Sequence, residues 1–251
     1  MRYFIELAFH GKNYHGWQVQ PDVITVQGVL TQSLSTLLGM ELEIVGAGRT
    51  DTGVHASQMY AHFDCSSTFK PKELCAKLNA FLPDDIVVYQ IFEVPQDAHA
   101  RFDAINRSYA YAIYLGRDPF CLDTTWQLYN QHIDVNKMND SAAVLLEYTN
   151  FKCFSKVKTD VRTFNCKVTT AKWVVDQQQL TFVISADRFL RNMVRAIVGT
   201  LLDIGLGKKS KDDLIEILKS EDRRQAGVSV PAKALFLTQV DYPEKILKNK
   251  L

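Results

Sequence analysis

Apolar residues recur along this chain at two different spacings, which predict the order of its strands and helices. Recurrence at every second residue indicates a strand, and recurrence at every third or fourth residue indicates a helix. The first part of the chain is predicted to form strand 2–10, helix 27–39, strands 41–46 and 57–65, helix 71–82 and strand 85–94. The elements therefore follow the order β-α-β-β-α-β.

The second part of the chain repeats this order of elements without visible sequence identity to the first. The pattern predicts strand 107–115, helix 134–147, strands 165–175 and 179–186, helices 188–204 and 211–219, and strand 234–241. Two such units predict an α+β fold of two ferredoxin-like halves, 1–103 and 104–251. We expect one continuous, mainly antiparallel sheet with helices packed on it and a central cleft.

Composition limits the class of protein more than it identifies a partner. The 251 residues are 47% hydrophobic and 23% charged, a balance typical of a soluble globular protein with a substantial core. No apolar run approaches the roughly 18 residues of a membrane span, and the N-terminus lacks a signal-peptide pattern. We therefore expect a cytoplasmic protein that does not associate with membranes. The net charge of +1 argues against non-specific coating of nucleic acid, although it allows a local basic cleft.

The cysteines favour reduced thiols over a disulfide framework or a zinc site. There are five of them, an odd number, and none forms a Cys-x-x-Cys pair. They are scattered along the chain as Cys65, Cys75, Cys121, Cys153 and Cys166.

The stretch GAGRTDTGVHA, residues 46–56, places Arg49 and Asp51 two residues apart among three glycines. It is not a P-loop, because the Gly-Lys-Ser/Thr step is missing. It is not a dinucleotide fingerprint either, because Asp51 stands where the third glycine is needed. Its Asp-Thr-Gly triplet also occurs in aspartic peptidases, but that chemistry needs a second triplet, which the chain lacks. A capped turn with a solvated Arg49 stays open as an alternative.

A second charged pattern lies on the predicted helix 188–204. Arg188, Arg191 and Arg195 are three and four residues apart, so they are predicted to share one helix face that contacts an anion. The apolar residues of this helix that are predicted to face the core are Leu190, Val194, Ile197, Val198 and Leu201.

The glycine-rich stretch resembles the signature of the TruA family of tRNA pseudouridine synthases. Other segments that resemble the family's motifs extend over nearly the whole chain. They are YHGWQ at 14–18 with VQG at 26–28, HARFDAINRSYAY at 99–111, FLRNMVRAIVGTL at 189–201 and VDYP at 240–243.

The resemblance implies that the central cleft binds RNA, and it implies a function and roles for particular residues. It implies an isomerase that converts uridine to pseudouridine at positions 38, 39 and 40 of the tRNA anticodon stem-loop, as a homodimer, without a cofactor or metal. Asp51 would be the catalytic carboxylate, attacking C6 or C1′ or acting as a base at C2′, and Arg195 would keep it ionised. Tyr109 would receive the flipped uracil, and Arg49 would enter the RNA.

Further residues near these motifs are candidates for other tasks. Basic side chains that are expected to contact the RNA backbone, besides Arg188 and Arg191, are Arg101, Arg107, Lys156, Lys158 and Arg162. His55 and His99 are predicted to be hydrogen-bonding scaffold residues. Two other functions remain open: a non-catalytic RNA-binding module, which would not need Asp51, and an aspartic peptidase.

Overall fold

The structure is a computed structural model that describes residues 1–129, 131–157 and 161–250. It divides into two compact units, one formed by Met1–Asn106 with Phe236–Leu251 and the other by Arg107–Leu235. The predicted halves, 1–103 and 104–251, differ from this division because the last segment of the chain packs with the first unit.

The described residues form strands and α-helices in the α+β class that the sequence predicts. The strands are β1 (Arg2–Phe9), β2 (Ile44–Gly46), β3 (His55–Asp64), β4 (Ile86–Val94), β5 (Asn106–Leu115), β6 (Trp126–Leu128), β7 (Val168–Asp176), β8 (Gln179–Ala186) and β9 (Leu235–Asp241). The helices are α1 (Val26–Leu38), α2 (Pro71–Phe81), α3 (Val135–Ala142), α4 (Met193–Gly205), α5 (Lys211–Ser220) and α6 (Glu244–Leu247). No helix among them is long and apolar enough to cross a membrane.

The sheet of the first unit is mixed. β1 lies between β3 and β4 and is antiparallel to both. β2 pairs antiparallel with one end of β3, and β9 pairs parallel with the other end, where His55 is opposite Phe236. Phe4 and Ile5 of β1 are both fully buried. Because successive strand residues point to opposite faces, both faces of β1 are covered.

The helices of the first unit begin and end at residues that suit these positions. Thr25 precedes α1, and its hydroxyl accepts a hydrogen bond from the backbone N–H of Gly28. Gly39 ends α1 in the left-handed conformation, with φ of 66°. Pro71 occupies the first turn of α2, where a missing N–H costs no hydrogen bond.

In the second unit, β8 lies between β5 and β7 and is antiparallel to both, while the short β6 pairs parallel with β5. The helix predicted at 188–204 begins later, at Met193. The helix predicted at 134–147 is α3 followed by a 3₁₀ turn. The predicted core residues of α4 and the turn before it, Leu190, Val194, Ile197, Val198 and Leu201, are all buried, which confirms the apolar face.

A buried carboxylate ties the end of the chain to the first sheet. Glu6 of β1 is 7% exposed and accepts hydrogen bonds from Gln58, Gln90 and Lys250, at 2.7, 2.6 and 3.0 Å. Lys250 also donates to the hydroxyl of Tyr60 at 2.6 Å. Burial alone would raise the pKa of Glu6, but these hydrogen bonds bring it below its ordinary value. The charge is therefore buried with partners that offset its desolvation.

We expect Lys250→Met to lower the free energy of unfolding at pH 7 by about 1–3 kcal/mol, because Glu6 loses its cationic partner. The folded pKa of Glu6 is depressed, so its contribution is present above the unfolded pKa of about 4.3 and is lost as the pH falls through the folded value. Urea denaturation of both proteins from pH 7 to pH 3 should show their difference shrinking in acid. A constant difference would contradict the role given to Glu6.

Candidate active site

Asp51 lies in the loop that joins β2 to β3, in the first unit. The loop leaves β2 with the backbone N–H of Ala47 donating to the carbonyl of Tyr60, at 2.8 Å. It returns to β3 through a turn in which the N–H of Val54 donates to the carbonyl of Asp51, at 3.1 Å. Gly53 within this turn has a φ of 77°, which glycine adopts without strain. Asp51 is half-buried on this loop.

The segment between β1 and α1 supports the loop through direct backbone contacts. The N–H of Gly53 donates to the carbonyl of Tyr14 at 3.3 Å. Gly16 has a φ of 86°, and a Cβ built on it would lie 2.3 Å from the carbonyl oxygen of Thr50. A Cβ on Gly11 would lie 2.0 Å from the carbonyl oxygen of Val54. The backbone on either side of Asp51 therefore rests on glycines that leave no space for a side chain.

Trp17 fills the space behind the start of the loop. Its side chain is 1% exposed, so it is a core residue. A Cβ on Gly46 would lie 2.3 Å from the indole nitrogen, so the strand that leads into the loop contacts the ring directly. Another side chain of the same segment, Tyr14, donates a short hydrogen bond to Asp85. Burial and this carboxylate raise the pKa of Tyr14.

His55, the first residue of β3, is 1% exposed. Its Nδ1 accepts a hydrogen bond from the backbone N–H of Gly11 at 2.9 Å, and its ring stacks on Phe236 with centroids 4.6 Å apart. His99 acts in the same way, since its Nδ1 accepts from the N–H groups of Arg101 and Phe102. Both histidines are scaffold residues, as the sequence predicts.

Arg49 is exposed, two residues before Asp51. Its Nε donates to Oε1 of Gln18 at 2.7 Å. Gln18 belongs to the segment that also supports the loop, so this segment positions both the carboxylate and the guanidinium. The sequence alone predicts no role for Gln18, because its pairing with a residue 31 positions later depends on the fold.

Tyr109 is half-buried on β5 in the second unit, opposite Ile184 of β8. Its ring packs edge-to-face against Phe189, with centroids 5.1 Å apart. Tyr111, two residues along, is fully buried and donates to the carbonyl of Pro231 at 3.0 Å. Tyr111 is therefore a core residue, whereas part of Tyr109 reaches the surface.

Arg195 is half-buried on α4, where its Nε donates to the carbonyl of Val230 at 2.7 Å. The predicted helical stripe of three arginines is wrong, because α4 begins at Met193 and leaves Arg188 and Arg191 outside it. Asn192, directly before α4, has a left-handed φ of 68°, so the helix does not extend back to Arg188.

Arg188 and Arg191 instead lie in the segment between β8 and α4, beside other predicted RNA contacts of the second unit. Arg107 donates to the carbonyl of Asp187 at 2.8 Å, and Arg188 donates to that of Thr163 at 3.3 Å. The N–H of Lys156 donates to the carbonyl of Arg191 at 3.0 Å. The fold thus brings three separate basic segments together.

The remaining predicted contacts are distributed as follows. Arg162 is exposed in the second unit, one residue from the Thr163 carbonyl that binds Arg188. Arg101 is exposed in the first unit, with its guanidinium 5.7 Å from the centre of the Phe102 ring. Lys158 lies outside the described residues. Within the described ranges, no group of three or more His, Cys, Asp or Glu residues could hold a metal ion.

Comparison with known proteins identifies the family. A family model described as tRNA pseudouridine synthase matches residues 7–103 and 142–243. The chain is 49% identical over 249 residues to tRNA pseudouridine synthase A of Bacteroides fragilis, covering 98% of each chain. It is 37% identical over 244 residues to tRNA pseudouridine synthase A of Thermoanaerobacter pseudethanolicus, covering 95% of this chain and 98% of the relative. The chain belongs to the tRNA pseudouridine synthase family.

The family assignment confirms the resemblance seen in the sequence. Both the loop of Asp51 and the helix of Arg195 lie within the ranges that the family model matches. Tyr109 lies between these two ranges. The match to the Bacteroides fragilis synthase covers 98% of this chain without being restricted to those two ranges.

We expect Gly16→Ala to lower the free energy of unfolding by about 2 kcal/mol or more, through the left-handed φ and the contact with Thr50. Gly48→Ala is the matched control in the same region. A Cβ there meets no heavy atom of the described residues within 4 Å. We expect that variant to stay within about 0.5 kcal/mol of the parent protein. Denaturant titrations check both values, and equal effects at the two positions would contradict the support described for the loop.

Proposed function

We propose that this protein isomerises uridine to pseudouridine at positions 38, 39 and 40 of the tRNA anticodon stem-loop, with Asp51 as the catalytic carboxylate. As a member of the tRNA pseudouridine synthase family, the chain is an isomerase that acts on uridine in tRNA. The observation that carries the role of Asp51 is its position, two residues from Arg49, on a loop whose backbone is in close contact with Gly11 and Gly16.

The reaction needs a group that acts on the nucleotide and then releases it. The bond from uracil N1 to ribose C1′ breaks, the base turns, and a bond from C5 to C1′ forms. The proton leaves C5 and one is gained at N1, so atoms and electrons balance without net redox change or hydrolysis. Asp51 can begin this sequence as a nucleophile at C6 or C1′, or as a base at the ribose C2′.

A uridine inside a helical stem must leave the base stack before a carboxylate can reach it. Extrusion costs on the order of a few kcal/mol, and stacking on an aromatic ring returns about 1–3 kcal/mol. In this proposal Tyr109 supplies that ring. Its edge-to-face packing on Phe189 supports the role, because the packing fixes the direction of the ring.

Two arginines complete the proposed machinery. Arg195 supplies a positive charge that stabilises the Asp51 carboxylate during the reaction. The resemblance implies this role, and the hydrogen bond that restrains its Nε supports it. Arg49 enters the RNA and favours the extruded state, because its planar guanidinium suits both phosphate pairing and base stacking.

The backbone of the tRNA would be contacted by basic residues whose own positions suit this task. In the second unit, the hydrogen bonds described above connect the chain segments that carry the candidate basic residues. These residues are Arg107, Lys156, Arg162, Arg188 and Arg191. Arg101 offers a further cation in the first unit. Such contacts release counterions, so we propose binding that weakens as salt concentration rises.

Three further features belong to the proposal. The order of elements suggests ferredoxin-like halves, and the composition and scattered cysteines suggest a cytoplasmic location. The resemblance implies a homodimer that shares one tRNA. The family relationship favours an enzyme over a non-catalytic RNA-binding module, and the chain has a single Asp-Thr-Gly triplet where an aspartic peptidase of this length needs two.

The test uses unmodified tRNA transcripts that carry uridine at positions 38, 39 and 40, with matched transcripts in which each of these is cytidine. After incubation, carbodiimide treatment and primer extension should show stops that correspond to these positions and disappear with the matching cytidine. Stops at other uridines would contradict the proposed site. Transcripts that bind but remain unmodified would favour the RNA-binding module.

A further inference from the structure

Arg195 is held in place by a loop that follows α5. We call residues 226–230 the clamp loop. The Nε of Arg195 donates to the carbonyl of Val230 at 2.7 Å, and the N–H of Val230 donates to the carbonyl of Arg195 at 3.3 Å. Both the guanidinium and the backbone of Arg195 are thus tied to one residue of the clamp loop.

The clamp loop contacts α4 at a distance that only glycines allow. A Cβ on Gly199 of α4 would lie 1.9 Å from the carbonyl oxygen of Val228, and one on Gly227 would lie 2.7 Å from the backbone nitrogen of Thr200. The N–H of Gly227 also donates to the hydroxyl of Thr200 at 2.8 Å. A shift of the clamp loop therefore moves the carbonyl that holds Arg195.

Arg223 fastens this loop with three hydrogen bonds. Its Nη1 donates to the carbonyls of Ala226 and Gly227, at 3.4 and 3.1 Å. Its Nη2 donates to the hydroxyl of Ser229 at 2.9 Å. The same hydroxyl accepts from Nδ2 of Asn192, the residue before α4, at 2.5 Å. Ser229 thus connects Arg223 to the start of the helix that carries Arg195.

We infer that Arg223 is a positioning residue for Arg195. It holds the clamp loop so that the Val230 carbonyl fixes the direction of the Arg195 guanidinium. The rigid fork of an arginine reaches two carbonyls and a hydroxyl together, which the single ammonium group of lysine cannot do with the same geometry. This inference rests on the proposed function, in which Arg195 acts in the reaction.

The first test compares Arg223→Ala with Arg224→Ala. Arg224 is the adjacent arginine, but its side chain is 88% exposed and pairs with Asp222 outside the clamp loop. Loss of correct positioning should lower the single-turnover isomerisation rate of Arg223→Ala about 10-fold, with the Kd for the tRNA transcript within about twofold. Arg224→Ala should keep both values within about twofold of the parent protein. A parent-like rate in Arg223→Ala would overturn the inference.

A milder pair of variants tests the same connection without removing a charge. Ser229→Ala removes the hydroxyl that accepts from Arg223 and Asn192, and Ser229→Thr keeps a hydroxyl. We expect Ser229→Ala to slow the reaction and Ser229→Thr to restore most of the rate. Equal rates in the two Ser229 variants would contradict the connection, whatever the stability of Arg223→Ala.

A double-mutant cycle separates this inference from the proposed function. If Arg223 acts through Arg195, Arg223→Ala should slow the Arg195→Lys variant less than about twofold, although it slows the parent about 10-fold. Fully additive effects would refute positioning through Arg195. A parent-like rate in Arg195→Lys alone would refute the proposed role of Arg195. If Arg195→Lys reacts slowly while Arg223→Ala reacts at the parent rate, the positioning role of Arg223 is refuted and the proposed role of Arg195 is kept.

Discussion

The contact between the backbone of Gly16 and the backbone of Thr50 is the constraint on which the candidate site depends. A side chain at position 16 would occupy the place of the Thr50 carbonyl, one residue before Asp51. Gly11 and Gly46 impose the same condition on either side, against Val54 and Trp17. Because close-packed atoms leave no space for displacement, the backbone that carries the Asp51 carboxylate has little freedom to move.

The second unit holds its candidate group by the same kind of contact. Arg195 extends from a helix whose glycine, Gly199, lets the clamp loop approach closely enough for Val230 to bind the guanidinium. In each unit, therefore, glycines that let two backbone segments meet closely determine the position of the candidate side chain. This agrees with the general expectation that a reacting group gains most when its supporting residues fix it before substrate binds.

The sequence predicted the α+β class and most strands and helices, because those depend on local periodicity. It failed where the outcome depends on distant residues. The apolar spacing continues back to Leu190, yet α4 begins at Met193, since Asn192 adopts a left-handed conformation and bonds to Ser229. The residues that support the candidate site could not be predicted from the sequence either. Arg223 stands next to another arginine and has the sequence context of an ordinary surface charge, because its hydrogen-bond acceptors are brought to it only by the fold. Family motifs point to Asp51 as the candidate carboxylate, but no local pattern could show what holds it.

The most direct measurement of the central claim is the release of tritium from tRNA labelled at uridine C5, because a new bond at C5 must displace that hydrogen. Asp51→Asn keeps the size of the side chain and removes the charge. We predict that its release under single-turnover conditions falls by about 100-fold or more, while filter binding gives a tRNA Kd within about twofold of the parent protein. Release at the parent rate by Asp51→Asn would contradict the account.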